Sequence, residues 1–234
     1  MNLPPLRPLR DPTPLLHKVR HEWGGRGPLW VFAYASLIWR PEFDAAEQRT
    51  ATVHGWHRAL KMCSRVNRGT PANPGLVFAL VPGGSCRGMV YRMEPARAEQ
   101  ELERLWLREM PTGVYDPKFL SCRTGDGPVR ALAFTLSRRS PNFTGSIDDE
   151  AMLTILRHAS GRYGRTLDYL IETATCLRTH GIRDHAIERL VMLAKRHGLH
   201  ADPLAAAATT ASTGPCEPAP AQPASRQRNG MPGA

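Results

Sequence analysis

Runs of apolar residues, separated by turn residues, predict an alternation of strands and helices along the chain. The run at 30–32 is β-branched and aromatic, which predicts a buried strand. It ends in small residues between positions 33 and 36, ahead of the apolar pair at 37–38. We interpret this as a strand that enters a tight loop, whose backbone N–H groups can hold a developing negative charge. A core strand followed by an ordinary turn is the alternative.

The next segments predict a sheet with one long bent strand and a hairpin. Residues 49–61 are rich in β-branched and aromatic types, and Gly55 marks a bulge or a bend within them. Residues 64–75 contain two Pro, two Gly and two Asn, which predicts a loop of a length that is often functional. Residues 76–93 are divided by Pro-Gly-Gly at 82–84, and we expect a hairpin that turns there.

From residue 95 onward the apolar period is mostly that of helices. The amphipathic segment 95–110 predicts a helix that ends before Pro111. The later predicted elements are strands at 118–123 and 129–136 around a turn at 125–128, a helix from an N-cap at Ser146 to about Ala159, and two helices with apolar stripes at 167–177 and 187–194.

Both ends of the chain differ in composition from its middle. Residues 1–28 contain six prolines and three glycines, which predicts an arm with at most one short helix, at 15–23. Residues 201–234 contain scarcely a large apolar residue, and we expect a disordered tail there. One globular domain at 29–200 lies between these segments.

Charge and cysteine content exclude several classes of protein. The net charge of +10 is spread without a basic run, so we expect a solvated surface and no nucleic-acid partner, while anionic small molecules stay candidate partners. The five cysteines are scattered and lack C-x-x-C spacing, which is typical of reduced thiols. The N-terminus lacks the apolar core of a signal peptide, and no run reaches the roughly 18 apolar residues of a membrane span. We therefore expect a cytoplasmic protein with no membrane partner.

Three residues are candidates for chemistry on their local surroundings. Glu109 follows the apolar face of a predicted helix, where burial can raise the pKa of a carboxyl group toward neutrality and make it a general acid or base. The alternative is a surface glutamate paired with Arg108 or Arg104. Arg68, in the predicted loop, can clamp a carboxylate or remain solvated. Tyr115 is either a hydrogen-bond donor to a substrate or a partly buried aromatic.

Other kinds of catalytic site lack support in the sequence. His54 and His57, two of the nine histidines, are three residues apart, but a strand would place them on opposite faces, and we expect no metal. Ser36 lacks the G-x-S-x-G elbow of a serine hydrolase. The cysteines lack a nucleophile signature and are expected to pack as small apolar groups.

Five segments, in order, resemble the ChaC-like γ-glutamylcyclotransferases, the glutathione-specific branch of the γ-glutamylcyclotransferase superfamily. They are WVFAYASLIWRP at 30–41, RGTPANPGLVFAL at 68–80, GGSCRGMVYR at 83–92, LWLREMPTGVY at 105–115 and GRYGRTLDYL at 161–170. The resemblance implies an α+β fold, a small mixed β-barrel with surrounding helices. It also implies that the α-amine of the γ-glutamyl group of glutathione attacks its own amide, giving 5-oxoproline and cysteinylglycine without metal or cofactor.

The resemblance also implies roles for individual residues. Glu109 falls on the family's catalytic glutamate. The family's substrate-binding loop falls on Ala33, Tyr34, Ala35, Ser36, Leu37 and Ile38. Together with Arg68 and Tyr115, these loop residues are our predicted binding site for glutathione.

One residue departs from the family pattern. The usual loop sequence YGSL is YASL here, with Ala35 in place of glycine. If this position needs a positive φ, alanine adds strain of about 1 kcal/mol, and otherwise its methyl group only crowds the substrate. The sequence thus leaves two alternatives to a glutathione-specific enzyme. One is an impaired module that binds a γ-glutamyl ligand or a protein, and the other is a cyclotransferase for another γ-glutamyl amide.

Overall fold

The computed structural model describes residues 10–25 and 27–200 of the 234-residue chain. The predicted tail at 201–234 and the first nine residues of the predicted arm lie outside the described residues. The elements are α1 (Thr13–Trp23), β1 (Trp30–Ala33), α2 (Ser36–Trp39), β2 (Ala45–Ser64), β3 (Gly75–Met93), a 3₁₀ helix (Pro95–Arg97), α3 (Ala98–Glu109), β4 (Asp116–Thr124), β5 (Gly127–Thr135), α4 (Asp149–His158), β6 (Ser160–Gly161), β7 (Gly164–Arg165), α5 (Thr166–Thr179) and α6 (His185–Arg196).

Five strands form a closed barrel in the order β1, β3, β2, β4, β5. Most neighbours are antiparallel, but the barrel closes through a parallel pairing of β1 with β5, in which Trp30 lies opposite Ala131. The core includes the fully buried rings of Phe32, Phe78 and Phe134. Small barrels are filled by such side chains rather than by solvent. The predicted α+β fold, a small mixed barrel with surrounding helices, is confirmed.

The predicted hairpin with a turn at 82–84 is wrong. β3 is continuous through these residues and pairs antiparallel with β2, and the two strands are connected by the loop at 65–74. Gly83 and Gly84 have φ of 105° and 71°, and the register shifts where they face Gly55, whose φ is 80°. Gly83 and Gly84 of β3 therefore lie opposite the single Gly55 of β2, which makes a bulge with its extra residue in β3, at the place where a bulge or a bend was predicted in β2. This irregularity bends the two long strands and does not reverse the chain.

The helices bury one apolar face each against the barrel or against one another. α3 buries Leu102, Leu105 and Trp106, as its period predicts. α1 buries Val19 and packs against β4. Helical segments with such apolar stripes are stabilised mainly by tertiary packing, because isolated helices of this length are marginal in water.

The segment before α1 is tied to the chain between α3 and β4. The Arg10 guanidinium donates to the carbonyl oxygens of Gly113 at 2.9 Å and Tyr115 at 2.5 Å, and it lies 3.0 Å from the Asp116 carboxylate. Gly113 has φ of 61°, and a Cβ there would lie only 2.3 Å from the Arg10 carbonyl oxygen. The two segments therefore pack backbone to backbone.

The N-cap of α4 is Asp148, not the predicted Ser146. The Asp148 carboxylate accepts a hydrogen bond of 2.8 Å from the Ala151 N–H. Both residues are good caps by type, but a carboxylate also interacts favourably with the positive end of the helix dipole. The helix therefore begins two residues later than expected.

Replacing Asp148 with Ala removes this cap, and we expect the free energy of unfolding to fall by about 1 kcal/mol. Urea denaturation followed by circular dichroism measures the change. The control is Ser146→Ala, which we expect to stay within about 0.5 kcal/mol of the unaltered protein. Equal losses in the two variants would contradict the assignment of the cap.

Candidate active site

The loop after β1 carries Tyr34 and Ala35 and leads directly into α2. The sequence pattern predicts the loop but not this short helix. The Tyr34 hydroxyl donates to the Phe134 carbonyl at 2.9 Å, and the Ile38 N–H donates to the Ala35 carbonyl at 2.8 Å. Ala35 has φ of −147°, outside the left-handed region. The strain that a positive φ would impose on alanine therefore does not arise.

A small cleft lies between this loop, the end of α3 and the aromatic core of the barrel. Its lining is mostly aromatic, and among the described residues along it only Glu109 carries a carboxylate. The lining residues are Tyr34, Ala35, Ser36, Leu37, Phe78, Glu109, Tyr115, Phe134 and Tyr169. The structure therefore brings together six of the predicted site residues, namely the loop residues 34–37, Glu109 and Tyr115.

Glu109 is the last residue of α3, and only 14% of its side chain is exposed. Burial raises the pKa of its carboxyl group above the usual range. The guanidinium of Arg108, whose Nε lies 3.0 Å from Glu109 Oε1, opposes this rise in pKa, and the charge of Glu42 adds to it. A carboxyl group with these neighbours is suited to accept a proton and return it.

Arg108 connects Glu109 to the loop and to α2. Its guanidinium donates to Ser36 Oγ at 3.3 Å and to the Arg40 carbonyl, and it lies 3.3 Å from the Glu42 carboxylate. Its side chain is only 17% exposed. The pairing of Glu109 with Arg108 that the sequence left open is thus present, but it lies in a largely buried position rather than on a solvated surface.

Three buried tyrosines line the same cleft. Burial raises the pKa of Tyr34 and of Tyr115 well above the usual value for a phenol, and it raises the pKa of Tyr169 to about 12. All three hydroxyls therefore keep their protons at neutral pH. They supply hydrogen-bonding groups in an otherwise apolar wall.

Three predicted residues are not among those that line the cleft. Ala33 is part of β1, and the carbonyl of Ile38 accepts a hydrogen bond of 3.2 Å from a buried tyrosine hydroxyl. The Arg68 guanidinium stacks on the ring of Tyr169, 4.9 Å from its centroid, and lies 3.9 Å from Glu172. Arg68 thus contacts the cleft through Tyr169.

Sequence reasoning missed four residues that shape the site, namely Arg108, Phe78, Phe134 and Tyr169. The three aromatic residues occupy positions that are typical of core packing, so their pattern carries no sign of a cleft. For Arg108, the sequence did offer an indication of a role in the site, because it directly precedes Glu109. Tyr169 lies within the 161–170 segment, which carried part of the family resemblance.

Residues 10–25 and 27–200 contain no cluster of three or more His, Cys, Asp or Glu side chains that could hold a metal ion. Over the same ranges, no helix is both long and apolar enough to cross a membrane.

Comparison with known proteins places the chain in a family. A sequence model described as ChaC-like protein matches residues 29–197. The chain belongs to the ChaC-like protein family. This match confirms the resemblance that the five sequence segments indicated, and it includes every residue that lines the cleft.

Curated relatives and one solved structure extend this comparison. The Escherichia coli glutathione-specific gamma-glutamylcyclotransferase is 35% identical over 171 residues, 73% of this chain and 74% of the relative. The Homo sapiens glutathione-specific gamma-glutamylcyclotransferase 1 is 31% identical over 77% of this chain and 82% of the relative. A yeast γ-glutamyl cyclotransferase structure, specific to glutathione, matches with a TM-score of 0.66 at 22% identity and covers 74% of this chain and 97% of that one. The structural match shows the same fold.

Replacing Arg108 with Met removes the cation beside Glu109, so we expect the pKa of Glu109 to rise further above its usual range. Titration of the side-chain carboxyl signals by NMR measures this shift. Arg104→Met is the matched control, because Arg104 lies on the same helix but pairs with Glu101 at 3.2 Å. An unchanged or lower pKa of Glu109 in Arg108→Met would show that Arg108 does not set it.

Proposed function

We propose that this protein is a glutathione-specific γ-glutamylcyclotransferase that acts in the cytoplasm and converts glutathione to 5-oxoproline and cysteinylglycine. The observation that carries the proposal is the largely buried Glu109 carboxylate, which shares a small aromatic cleft with the loop at 34–37. Membership of the ChaC-like family and the names of its curated relatives support glutathione as the substrate.

Glu109 performs the proton transfers in the proposed reaction. At neutral pH the α-amine of a γ-glutamyl group is largely protonated, so a base must take one proton before the nitrogen can attack. The amine then forms a bond to the γ-carbonyl carbon, and the bond from this carbon to the cysteinyl nitrogen breaks. Glu109 returns this proton to the departing nitrogen and then carries over the second proton, which the attacking nitrogen loses as the ring forms, so that the cysteinyl nitrogen leaves as an ammonium group. The reaction consumes no water, and it needs no metal or cofactor.

The loop at 34–37 supplies donors for the oxyanion of the tetrahedral intermediate. α2 begins at Ser36, and a helix leaves its first N–H groups without intrahelical acceptors. The Ile38 N–H donates to the Ala35 carbonyl, but the N–H groups of Ser36 and Leu37 donate no backbone hydrogen bond among the described residues, so they remain for a substrate oxygen that carries developing charge. Donors fixed in advance are worth most in a site that excludes water.

The aromatic wall favours ring closure over release of an extended substrate. The attack is intramolecular, so the protein mainly has to hold the glutamyl chain folded, and the rings of Phe78, Phe134 and Tyr169 restrict the available space. The hydroxyls of Ser36 and Tyr115 bind polar groups of the substrate. Arg68 acts indirectly, by its stacking on Tyr169.

The backbone at Ala35 does not favour the alternative of an impaired binding module. That alternative rests on a loop position that needs a positive φ, whereas φ here is −147°. The other alternative, a different γ-glutamyl amide, is tested by assaying γ-glutamyl dipeptides beside glutathione. A dipeptide with a higher kcat/KM than glutathione would replace glutathione in the proposal.

We expect purified protein to release 5-oxoproline from glutathione and Glu109→Gln to lose this activity by at least about 100-fold, because the amide cannot take up a proton. Chromatographic measurement of 5-oxoproline gives both rates. Undiminished turnover in the variant would remove Glu109 from the mechanism.

The fold of Glu109→Gln serves as the control. Because burial raises the pKa of Glu109, the folded protein favours the neutral carboxyl group, and ionisation costs stability as pH rises through that pKa. Glutamine mimics the neutral form. The variant should therefore be at least as stable as the unaltered protein at neutral pH, with the difference vanishing in acid, below the usual pKa of a glutamate.

We expect Ala35→Gly to change kcat/KM for glutathione by less than about threefold, because Ala35 does not adopt the left-handed φ that favours glycine. Steady-state kinetics of the variant and the unaltered protein measure the ratio. An inactive unaltered protein that gains turnover as Ala35→Gly would instead establish the impaired binding module.

A further inference from the structure

A buried arginine, Arg58 of β2, contacts the substrate loop from inside the protein. Its side chain is 0% exposed. The Nε donates to the carbonyl oxygen of Tyr34, and Nη2 donates to the carbonyl of Arg87 and lies 3.5 Å from the Cys86 sulfur. The planar guanidinium fork thus holds the loop and β3 in one fixed arrangement.

The charge of Arg58 is balanced by a residue of the C-terminal helical region. Arg58 Nη1 lies 2.8 Å from Asp184 Oδ2. The other oxygen of Asp184 accepts hydrogen bonds from the N–H groups of Ala186 and Ile187, so Asp184 is also the N-cap of α6. One ion pair therefore connects the start of α6 to the loop of the cleft.

The bond to Tyr34 fixes the direction of the next N–H group. In a planar trans peptide the C=O and the N–H point in opposite directions. Because the Tyr34 carbonyl points to Arg58, the N–H of Ala35 in the same peptide group points away from Arg58. Ala35 lines the cleft, and its N–H donates no hydrogen bond to another described residue.

The neighbouring donors of the loop are held in a different way. The carbonyls of Ala35 and Ser36 accept hydrogen bonds of 2.8 Å from the N–H groups of Ile38 and Arg40. These bonds belong to the helical turn of α2, and they orient the N–H groups of Ser36 and Leu37 by the same peptide geometry. The Tyr34–Ala35 peptide precedes the helix, so a side chain has to hold it.

We propose that Arg58 is a positioning residue that holds the Tyr34–Ala35 peptide so that the Ala35 N–H donates to the substrate oxyanion. The inference rests on the proposed cyclotransferase reaction and adds to it a residue remote from the proton transfers. Asp184 supports this role, because its carboxylate pairs with the Arg58 guanidinium and balances its positive charge.

This role differs from that of a merely structural buried ion pair. Loss of one partner of such a pair destabilises a protein, whatever the site it lies near. A donor to the oxyanion, in contrast, interacts mainly with the transition state, so its loss lowers kcat and leaves KM nearly constant. The two roles are separated by the kinetic constants of a variant that remains folded.

The test uses the full chain carrying Arg58→Lys, which keeps the charge but cannot reach Tyr34, Arg87 and Asp184 together. We expect kcat for glutathione to fall by about 10- to 100-fold with KM within about threefold. The pH at which activity is lost in acid should not move, because Glu109 is unchanged. Should Arg58→Lys not fold, Asp184→Asn takes its place, because asparagine keeps the N-cap but weakens the bond to Arg58.

Arg178→Met is the matched control. Arg178 of α5 pairs with Glu188 of α6 at 2.6 Å, so its replacement removes an ion pair of α6 without touching Tyr34. We expect its kcat and KM to stay within about twofold of the unaltered protein, because exposed ion pairs contribute little. An equal loss of kcat in Arg178→Met would mean that docking of α6, and not the Tyr34 peptide, is responsible.

The inference can also be tested without an activity measurement. The test is a crystal structure of Arg58→Lys, or of Asp184→Asn in its place. We expect the Tyr34–Ala35 peptide to rotate, so that the Ala35 N–H leaves the cleft. An unrotated peptide, or a folded variant with unchanged kcat, would overturn the role of Arg58. If the unaltered protein releases no 5-oxoproline, the proposed function fails, and the orientation of this peptide still decides whether Arg58 holds it.

Discussion

Burial of one carboxylate beside the aromatic core of the barrel is the constraint on which the rest of the site depends. Glu109 loses hydration there, and a neighbouring cation offsets only part of the cost. That cation, Arg108, also binds Ser36 and the Arg40 carbonyl. Arg108 therefore contacts both the buried carboxylate and the loop that lines the cleft, so Glu109 and this loop are positioned together.

The sequence predicted those parts of the fold whose geometry is decided locally. α3 and the β4–β5 pair follow from periodicity and turn residues, and both are present. Pro82, Gly83 and Gly84 were misread because the same residues suit a chain reversal and a bulge. The choice depends on Gly55, which faces them from the preceding strand only once the two long strands have paired. The cap of α4 was misplaced for a similar reason, since two good capping residues lie two positions apart.

The candidate site was predictable where residue type and family resemblance coincide, as at Glu109, Tyr115 and the loop at 34–37. The residues that could not be predicted from the sequence are those that reach the site only through tertiary contacts. Phe134 and Tyr169 look like core residues because they are core residues, and one edge of each also meets the cleft. Arg58 lies in a strand of ordinary pattern, and only the folded chain brings it to Tyr34 and Asp184.

The bonds from Arg10 to Gly113, Tyr115 and Asp116 connect a residue outside the family match to the chain beside the cleft. The family match starts at residue 29, yet Arg10 holds the backbone that presents Tyr115 to the cleft. The family match and the packed part of the structure thus begin at different residues. Shortening the chain to its family region would leave all the cleft residues in place but remove a support for one of them.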